Sequence, residues 1–222
     1  MTTKFFVIAS PIGNLKDVSQ RFLDSIKLCD IIFCEDTRET QKLLNFFKIK
    51  VQLESFHEQS KDSKIKKFEE NLRNGKIIGY MVDAGTPCIS DPGWKLVEYA
   101  RNFGAEIEAI PGVSSITTFL SISGIPYSKF AFLGFLKKSN FAREILQTLE
   151  ILPCVIFFEN KFRIKKVLKE ISEKSEKPLS FALGRELTKM NQEIISGNLQ
   201  NFDFDKITTK GEFIIGIFLP KK

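Results

Sequence analysis

Histidine is nearly absent from this 222-residue chain, which has one, and its four cysteines form no CxxC pair. A zinc site made of cysteine and histidine therefore has no ligand set, we predict no metal, and no disulfide framework is evident. Cys29, Cys34 and Cys154 lie in or beside apolar stretches, so we expect them to be buried and free. Free thiols fit a reducing compartment, and we expect a cytoplasmic protein.

Long apolar runs are also missing, because no segment approaches the roughly 20 apolar residues that a membrane span requires. The apolar run at the N-terminus is short, lacks a basic segment before it and is interrupted at Pro11 and Gly13, so it predicts a strand and a tight loop, not a signal peptide. The patterns GxGxxG and GxxxxGK(S/T) do not occur, so an ordinary dinucleotide-binding or phosphate-loop site is excluded. We expect a soluble protein with no membrane partner.

The excess of positive charge, +6 overall, lies entirely in the second half of the chain. Residues 1–112 carry 16 basic and 16 acidic residues, and residues 113–222 carry the remaining 17 and 11. A basic excess confined to one half favours a polyanionic partner on that side. Lysines on solvated helix faces explain the same count equally well.

The first half alternates short apolar runs with amphipathic stretches, which predicts a mainly parallel α/β sheet with helices on both faces. Strands are predicted at 4–9, 31–34, 51–56, 76–82 and 106–110, and helices at 17–28, 37–47, 62–74 and 92–103. A helix at 113–122 follows, and then strands at 130–135, 154–158, 179–183, 193–196 and 212–218 with helices only at 140–149 and 161–172.

Successive strands with few helices between them predict a mixed, partly antiparallel second sheet. We therefore expect two α/β domains, residues 1–115 and residues 116–222. The boundary is expected within 112–126, with a hinge at 124–126, where the sequence reads Gly-Ile-Pro.

Three loops of the first domain each follow a predicted strand and precede a predicted helix, namely residues 10–14, 83–87 and 111–115. In an open α/β sheet, ligands bind beyond the carboxyl ends of the strands, so the backbone N–H groups of these loops can converge on one ligand. The third loop opens a helix at Ser114 and Ser115, which suits a carboxylate or a phosphate. Each loop taken alone is weak evidence, because glycine and proline mark turns anywhere.

Four motifs occur in the order found in one enzyme family: SPIGNL at 10–15, CEDTR at 34–38, DAGTPCISDPG at 83–93 and PGVSS at 111–115. Later motifs agree: FLGF at 132–135, FFEN at 157–160, RELTK at 185–189 and KGEF at 210–213. Over nearly its whole length the chain resembles the family of ribosomal RNA small subunit methyltransferase I, a branch of the tetrapyrrole methylases.

The resemblance implies a two-domain tetrapyrrole-methylase fold (class III among methyltransferases that use S-adenosylmethionine), a homodimer, and a cofactor bound in the cleft between the domains. It implies 2′-O-methylation of a cytidine ribose in the decoding region of small-subunit (16S) ribosomal RNA, with the RNA or the 30S subunit as partner. The cofactor S-adenosylmethionine would be contacted from the first domain by Pro11, Asp83, Thr86, Ser114 and Ser115. From the second domain the contacts would come from Phe158, Leu183 and Lys210.

A ribose hydroxyl holds its proton tightly, so a general base or an orienting hydrogen bond should help the reaction. Asp36 and Arg38 follow a predicted strand, and we predict that they are the catalytic residues that orient the ribose and bind its phosphate. Asp36 is equally suited to capping the helix that begins at Thr37. His57, Glu58 and Glu186 are rival bases.

An RNA surface is expected in the second domain. Its basic residues would be Lys137, Lys138, Arg143, those of the run 161–169, Arg185 and Lys189, and its aromatic residues Phe135, Phe141 and Phe162.

The chain departs from the family pattern at two places, where Val113 replaces a proline and the segment 158–162 lacks a histidine. We also expect it to lack the further C-terminal extension that many members of the family have. Two alternatives stay open: a methyltransferase of porphyrinoids with the same fold and cofactor, and a non-catalytic RNA-binding protein of ribosome assembly.

Overall fold

The computed structural model describes residues 3–57, 62–91, 93–137 and 139–221. The chain divides into two compact units, Met1–Ser114 and Ser115–Lys222. The segment 124–126 lies inside the second unit, because Ile125 approaches Gly216 and Tyr127 donates a hydrogen bond from its hydroxyl to the Leu219 carbonyl at 3.0 Å. The division between the units falls inside the predicted range 112–126, and the hinge expected at 124–126 stays a prediction.

The first unit is built on one parallel sheet. Its strands are β1 (Lys4–Ile8), β2 (Ile31–Cys34), β3 (Gln52–Ser55), β4 (Ile78–Met81) and β5 (Glu106–Ile110). Its helices are α1 (Gln20–Leu28), α2 (Thr37–Phe46), α3 (Asp62–Arg73) and α4 (Trp94–Phe103). The strand order is β3-β2-β4-β1-β5, and every pairing is parallel, as predicted.

The inner strands β1, β2 and β4 are apolar on both faces because helices cover both. On one face, Phe6 and Ile32 pack with Phe22 of α1 and Leu44 of α2. On the other, Phe68 of α3 lies edge-on to Phe5 and Phe33, with ring centroids 5.1 and 5.3 Å apart. Each fully buried aromatic side chain contributes about 1.5–3 kcal/mol, so these faces hold the sheet and thereby fix its loops.

The second unit contains a mixed sheet with the order β6-β7-β10-β8-β9. The strands are β6 (Ala131–Phe135), β7 (Cys154–Glu159), β8 (Ser180–Arg185), β9 (Glu193–Asn198) and β10 (Phe213–Phe218). The helices are α5 (Ser115–Ile122), α6 (Phe141–Ile151) and α7 (Ile164–Lys174), and a short 3-10 helix, Phe204–Lys206, was not predicted. β6 and β7 are parallel, and the other pairings are antiparallel, which confirms the predicted mixed sheet.

The two faces of this second sheet have different cover. Helices α6 and α7 pack on the face that carries Phe157, Leu183 and Ile215. On the opposite face, Phe119 of α5 fits against Gly184 and Gly216, where a larger side chain would collide with its ring. Helix α5 therefore belongs to the second unit.

Cys29, Cys34 and Cys154 are buried and free, as predicted. Burial raises the pKa of the Cys34 thiol to about 11 and that of Cys29 and Cys154 to about 12, so all three are inert thiols. No helix within the described ranges is long and apolar enough to cross a membrane.

Candidate active site

The loops after β1, β4 and β5 meet at one edge of the first sheet, because these three parallel strands are neighbours. Ser10 and Gly85 form a two-way backbone bridge with N–O distances of 2.8 and 3.0 Å. The Ser10 hydroxyl also donates to the carbonyl of Val82 at 2.6 Å. Thr86 donates from its hydroxyl to the Val113 carbonyl at 3.4 Å, so the three loops form one connected platform.

Asp83 extends this platform to the loop after β2. One of its carboxylate oxygens accepts a hydrogen bond from the backbone N–H of Asp36 at 3.1 Å. Asp83 is exposed, and partial desolvation together with the charge of Glu35 raises the pKa of its carboxyl. Pro11, by contrast, is buried in the first loop, and Thr86 is exposed.

Asp36 caps helix α2, which is the structural role that the sequence left open. Its carboxylate accepts from the Arg38 backbone N–H at 2.8 Å and forms a two-pronged ion pair with the Arg38 guanidinium, in which Nη2 and Oδ2 are 2.6 Å apart. The hydrogen bonds from Arg38 lower the pKa of Asp36 to about 2. The pair is a charged, preorganised group, and its carboxylate is a weak proton acceptor.

Asp91 is a further carboxyl at this edge, and it was not predicted as a site residue. Burial, followed by the negative charges of Glu35 and Asp83, raises the pKa of Asp91 to about 6. A carboxyl with this pKa is poised to exchange a proton near neutral pH. The shift arises from burial and from charges on two loops, since Glu35 follows β2 whereas Asp83 and Asp91 both lie between β4 and α4. The sequence alone does not show that these two loops meet.

The loop that carries Asp91 is held in an unusual conformation. Cys88 and Ser90 have φ angles of 68° and 65°, in the left-handed region that residues with a side chain seldom adopt. Gly93, two positions beyond Asp91, lies against the ring of the buried Tyr80, and a Cβ there would overlap that ring. Strained loops of this kind persist where the surrounding structure over-determines them, which is typical of functional sites.

Ser114 and Ser115 lie on either side of the division between the two units. Ser115 is the first residue of α5 and belongs to the second unit, although it was expected in the first domain. The reason is the packing of α5, through Phe119, on the second sheet. Both serines are half-buried.

In the second unit, Phe158 and Lys210 lie at the edge of the sheet where β7 ends and β10 begins, because Phe213 pairs with Glu159. Phe158 is half-buried, with its ring 5.0 Å from that of Phe132 and 5.3 Å from that of Phe135. Lys210 is exposed.

Leu183 is fully buried among the residues that face α6 and α7. It pairs with Ile215, whereas Phe158 pairs with Ile214, so the side chains of Phe158 and Leu183 project from opposite faces of the sheet. They cannot both reach one ligand through their side chains.

The same edge of the second unit displays aromatic and basic side chains. Phe135 is 65% exposed and Phe162 is 85% exposed, and the ammonium of Lys161 lies 5.0 Å from the ring centroid of Phe162. Lys137 and Arg143 are also exposed. Lys138 lies outside the described residues.

Phe141 is only 4% exposed, because it is a core residue at the start of α6. The expectation that its ring stacks on a base is therefore wrong.

Arg185 and Lys189, expected on the RNA surface, are paired within the second unit. Arg185 Nε lies 2.9 Å from Glu193 Oε2, and Lys189 Nζ lies 2.9 Å from Glu212 Oε2. Glu186 was one of the rival bases; burial alone would raise its pKa, but the Glu212 N–H and Lys189 lower it below the usual value. Of the other rivals, His57 is exposed just beyond β3, and Glu58 lies outside the described residues.

Within the described part of the chain, no group of three or more His, Cys, Asp or Glu side chains is placed to hold a metal ion.

Comparisons with known proteins match nearly the whole chain. A family model described as Tetrapyrrole (Corrin/Porphyrin) Methylases matches residues 4–203. The ribosomal RNA small subunit methyltransferase I of Thermotoga maritima is 38% identical over 215 residues, covering 96% of this chain and 96% of its own. The protein of the same name from Halalkalibacterium halodurans is 37% identical over 215 residues, covering 95% of this chain and 74% of its own.

Solved structures with low sequence identity share the fold. A diphthine synthase superimposes with a TM-score of 0.73 at 14% identity, covering 98% of this chain and 90% of its own. A cobalt precorrin-4 methyltransferase gives a TM-score of 0.71 at 17% identity, covering 96% of this chain and 94% of its own. The named substrates of these proteins differ, so the shared fold does not specify what is methylated.

Proposed function

This chain belongs to the tetrapyrrole methylase family and, within it, to the ribosomal RNA small subunit methyltransferase I family, and on this premise we propose its reaction. The chain transfers the methyl group of S-adenosylmethionine to the 2′-hydroxyl of a cytidine ribose in the decoding region of 16S ribosomal RNA. The observation that carries the proposal is 38% identity over almost the full length of both chains to a named ribosomal RNA methyltransferase.

The chemistry of the first unit's platform fits this cofactor. S-adenosylmethionine is a cation at its sulfur and its amino group, and the edge presents the exposed carboxylate of Asp83 with Glu35 close enough to perturb it. Pro11 and Thr86 belong to loops that are hydrogen-bonded to one another, so the platform is rigid before the cofactor arrives. The backbone N–H groups that begin α5, at Ser114 and Ser115, suit the cofactor's carboxylate.

The second unit supplies the remaining proposed contacts. Phe158 presents an aromatic ring near the end of β7, and Lys210 is an exposed residue in the segment that precedes β10. Leu183 acts through its backbone, because its side chain is buried on the opposite face of the sheet.

Once bound, S-adenosylmethionine would supply an electrophilic methyl group on its sulfonium sulfur, with S-adenosylhomocysteine, a neutral thioether at sulfur, as the leaving group when the ribose oxygen takes the methyl. The protein has to orient the ribose hydroxyl and remove its proton. Asp36 and Arg38 form the orienting pair, in which the guanidinium also attracts the neighbouring phosphate. Asp91, with its pKa raised to about 6, accepts the proton, because Asp36 at about 2 is too weak a base.

The RNA contacts are proposed for the exposed aromatic and basic edge of the second unit. Phe135 and Phe162 present open rings on which an unpaired base can stack, and Lys137 and Lys161 attract the phosphates beside it. We also infer that the chain works as a homodimer in the cytoplasm, which follows from family likeness; light scattering of the purified protein tests the dimer.

Incubation with labelled S-adenosylmethionine and small ribosomal subunits that lack the modification tests the proposal. The expected result is label on one decoding-region cytidine, at the ribose 2′-oxygen, and its loss with Asp83→Ala. Tight cofactor binding without any label on RNA would favour a porphyrinoid substrate, which the shared fold of the precorrin methyltransferase keeps as the second candidate. The absence of cofactor binding in calorimetry would favour a non-catalytic RNA-binding protein.

A further inference from the structure

Two stretches of the second unit are tied side by side, residues 185–189 after β8 and residues 210–212 before β10. The antiparallel register brings them together, because Arg185 pairs with Phe213. The Arg185 side chain reaches across to the segment before β10, where its Nη1 donates to the carbonyl of Lys210 at 3.1 Å. Its Nε donates to Glu193 Oε2 at 2.9 Å. The backbone of Lys210 is therefore fixed by a guanidinium that is itself anchored.

Glu186 is the centre of this arrangement. Its backbone N–H donates to the Glu212 carbonyl at 3.1 Å, and its side-chain Oε1 accepts from the Glu212 N–H at 3.0 Å. The same oxygen lies 3.3 Å from Lys189 Nζ, which also contacts Glu212 Oε2 at 2.9 Å. One carboxylate thus closes a ring of interactions around the segment that follows Lys210.

The stretch 185–189 has backbone conformations that need such support. Glu186 and Thr188 have φ angles of 51° and 64°, which are unfavourable for residues with a side chain. Gly211 has a φ of 118°, which glycine adopts readily, and a Cβ on it would lie 2.7 Å from Glu186 Cγ. The hydrogen bonds therefore hold the strained 185–189 stretch against a segment whose glycine leaves room for the Glu186 side chain.

The charges of the network are matched internally. Lys189 is about two-thirds buried and shared by two carboxylates, and the Arg185 side chain is 14% exposed. Long side chains committed in this way are poorly placed to follow a phosphate backbone, unlike the exposed Lys161 beside Phe162.

We propose that the segment Arg185–Lys189 does not bind RNA and instead positions Lys210 for the cofactor, with Glu186 as the principal positioning residue. The inference rests on the proposed function, in which Lys210 contacts S-adenosylmethionine. Glu186 acts only through the 210–212 segment and contacts neither S-adenosylmethionine nor the RNA. Removing it releases the segment and weakens cofactor binding, whereas RNA binding stays the same.

Calorimetry with S-adenosylmethionine and steady-state kinetics on unmodified small subunits test this inference. Glu186→Ala is expected to weaken cofactor binding by about tenfold, as the loss of a charge-assisted hydrogen bond does, and to raise KM for the cofactor similarly. The KM for the small subunit and its salt dependence should not change. Glu186→Gln keeps an acceptor for the Glu212 N–H and should recover most of the affinity. Glu170→Ala, which removes an exposed ion pair with Lys174 on α7, is the matched control.

Each other outcome has a definite meaning. A Glu186→Ala protein that binds the cofactor like the wild type, or that loses RNA affinity instead, overturns the inference. If Glu186→Ala does not fold, Lys189→Met removes the ion pairs with Glu186 and Glu212 at a side chain that is 31% exposed, and it must weaken cofactor binding without flattening the salt dependence. If the wild type itself binds no S-adenosylmethionine, the proposed function fails first. If the wild type binds S-adenosylmethionine and Lys210→Ala binds it equally well, the role of Lys210 and of its positioning network is refuted, and the proposed function is not.

Discussion

Asp91→Asn should inactivate the enzyme and stabilise it at the same time. The folded protein raises the pKa of Asp91 from 3.8 to about 6, mainly by burial and then through Glu35 and Asp83. Two pKa units correspond to about 3 kcal/mol for a fully buried group, and partial exposure reduces this to on the order of 1–2 kcal/mol. An amide carries no charge, so the variant avoids this unfavourable term at neutral pH.

The sign of the pH dependence follows from proton binding. Because the folded pKa is above the unfolded one, the folded wild type holds more protons between pH 4 and about pH 6, and its stability falls as the pH rises through that window. The stability advantage of Asp91→Asn should therefore be small at pH 4 and fully present above about pH 7.

Urea unfolding at several pH values and kcat/KM at pH 7.5 measure the two effects. Loss of a general base should lower kcat/KM by about 10²–10⁴-fold, and the wild-type profile should decline below about pH 6. Asp24→Asn, at an exposed site on α1, is the control for removal of a carboxylate. An Asp91→Asn protein with normal activity, or with a stability difference that does not vary with pH, would refute the reasoning.

Three further predictions concern packing and RNA binding. Arg163→Ala removes the guanidinium that lies 3.4 Å from the buried Glu159 and donates to the carbonyls of Leu136 and Lys137. The variant should be less stable by about 3 kcal/mol in urea unfolding, because it leaves a buried carboxylate without its partner. An unchanged unfolding midpoint would show that the ion pair contributes little. Gly93→Ala forces a methyl group into the ring of Tyr80 and should lower stability by about 1–3 kcal/mol, together with cofactor affinity, as thermal unfolding and calorimetry would show. Phe162→Ala should weaken RNA binding by about 1–3 kcal/mol at every salt concentration, because it removes a stacking contact. Lys161→Ala should reduce the slope of log K against log salt concentration by about one, because it removes a phosphate contact. Identical behaviour of the two variants would contradict separate stacking and phosphate contacts.

The sheet of the first unit was predictable because its strands are short apolar runs separated by amphipathic helices. The bounds of β2 and β5 match their predicted bounds, since turn residues flank both runs. The start of α1 was predicted too early, at Asp17, because the hydroxyl of Ser19 accepts from the Phe22 N–H and begins the helix at Gln20. Local capping therefore decided a boundary that apolar periodicity alone did not.

Long-range pairing explains what the sequence did not predict in the candidate site. Arg185 and Lys189 are neutralised by Glu193 and Glu212, which are 8 and 23 positions away, so their spacing resembled a free basic patch. The pKa of Asp91 likewise depends on Glu35, which lies on another loop. Such features arise from the register of the sheets and the meeting of loops.

The opposite orientations of Phe158 and Leu183 follow from strand register, which the sequence does not show without the pairing partners. Phe141 was predicted to belong to the RNA surface because it lies near basic residues in the sequence, but its ring is buried in the core against α7 and the second sheet.

The most direct measurement is single-turnover methylation of unmodified small subunits with labelled S-adenosylmethionine, followed by mapping of the label, for the wild type and Asp83→Ala. The account predicts label at the ribose 2′-oxygen of one decoding-region cytidine for the wild type, and none above background for the variant. Label on a base, label on a porphyrinoid with none on RNA, or full activity in Asp83→Ala would contradict it.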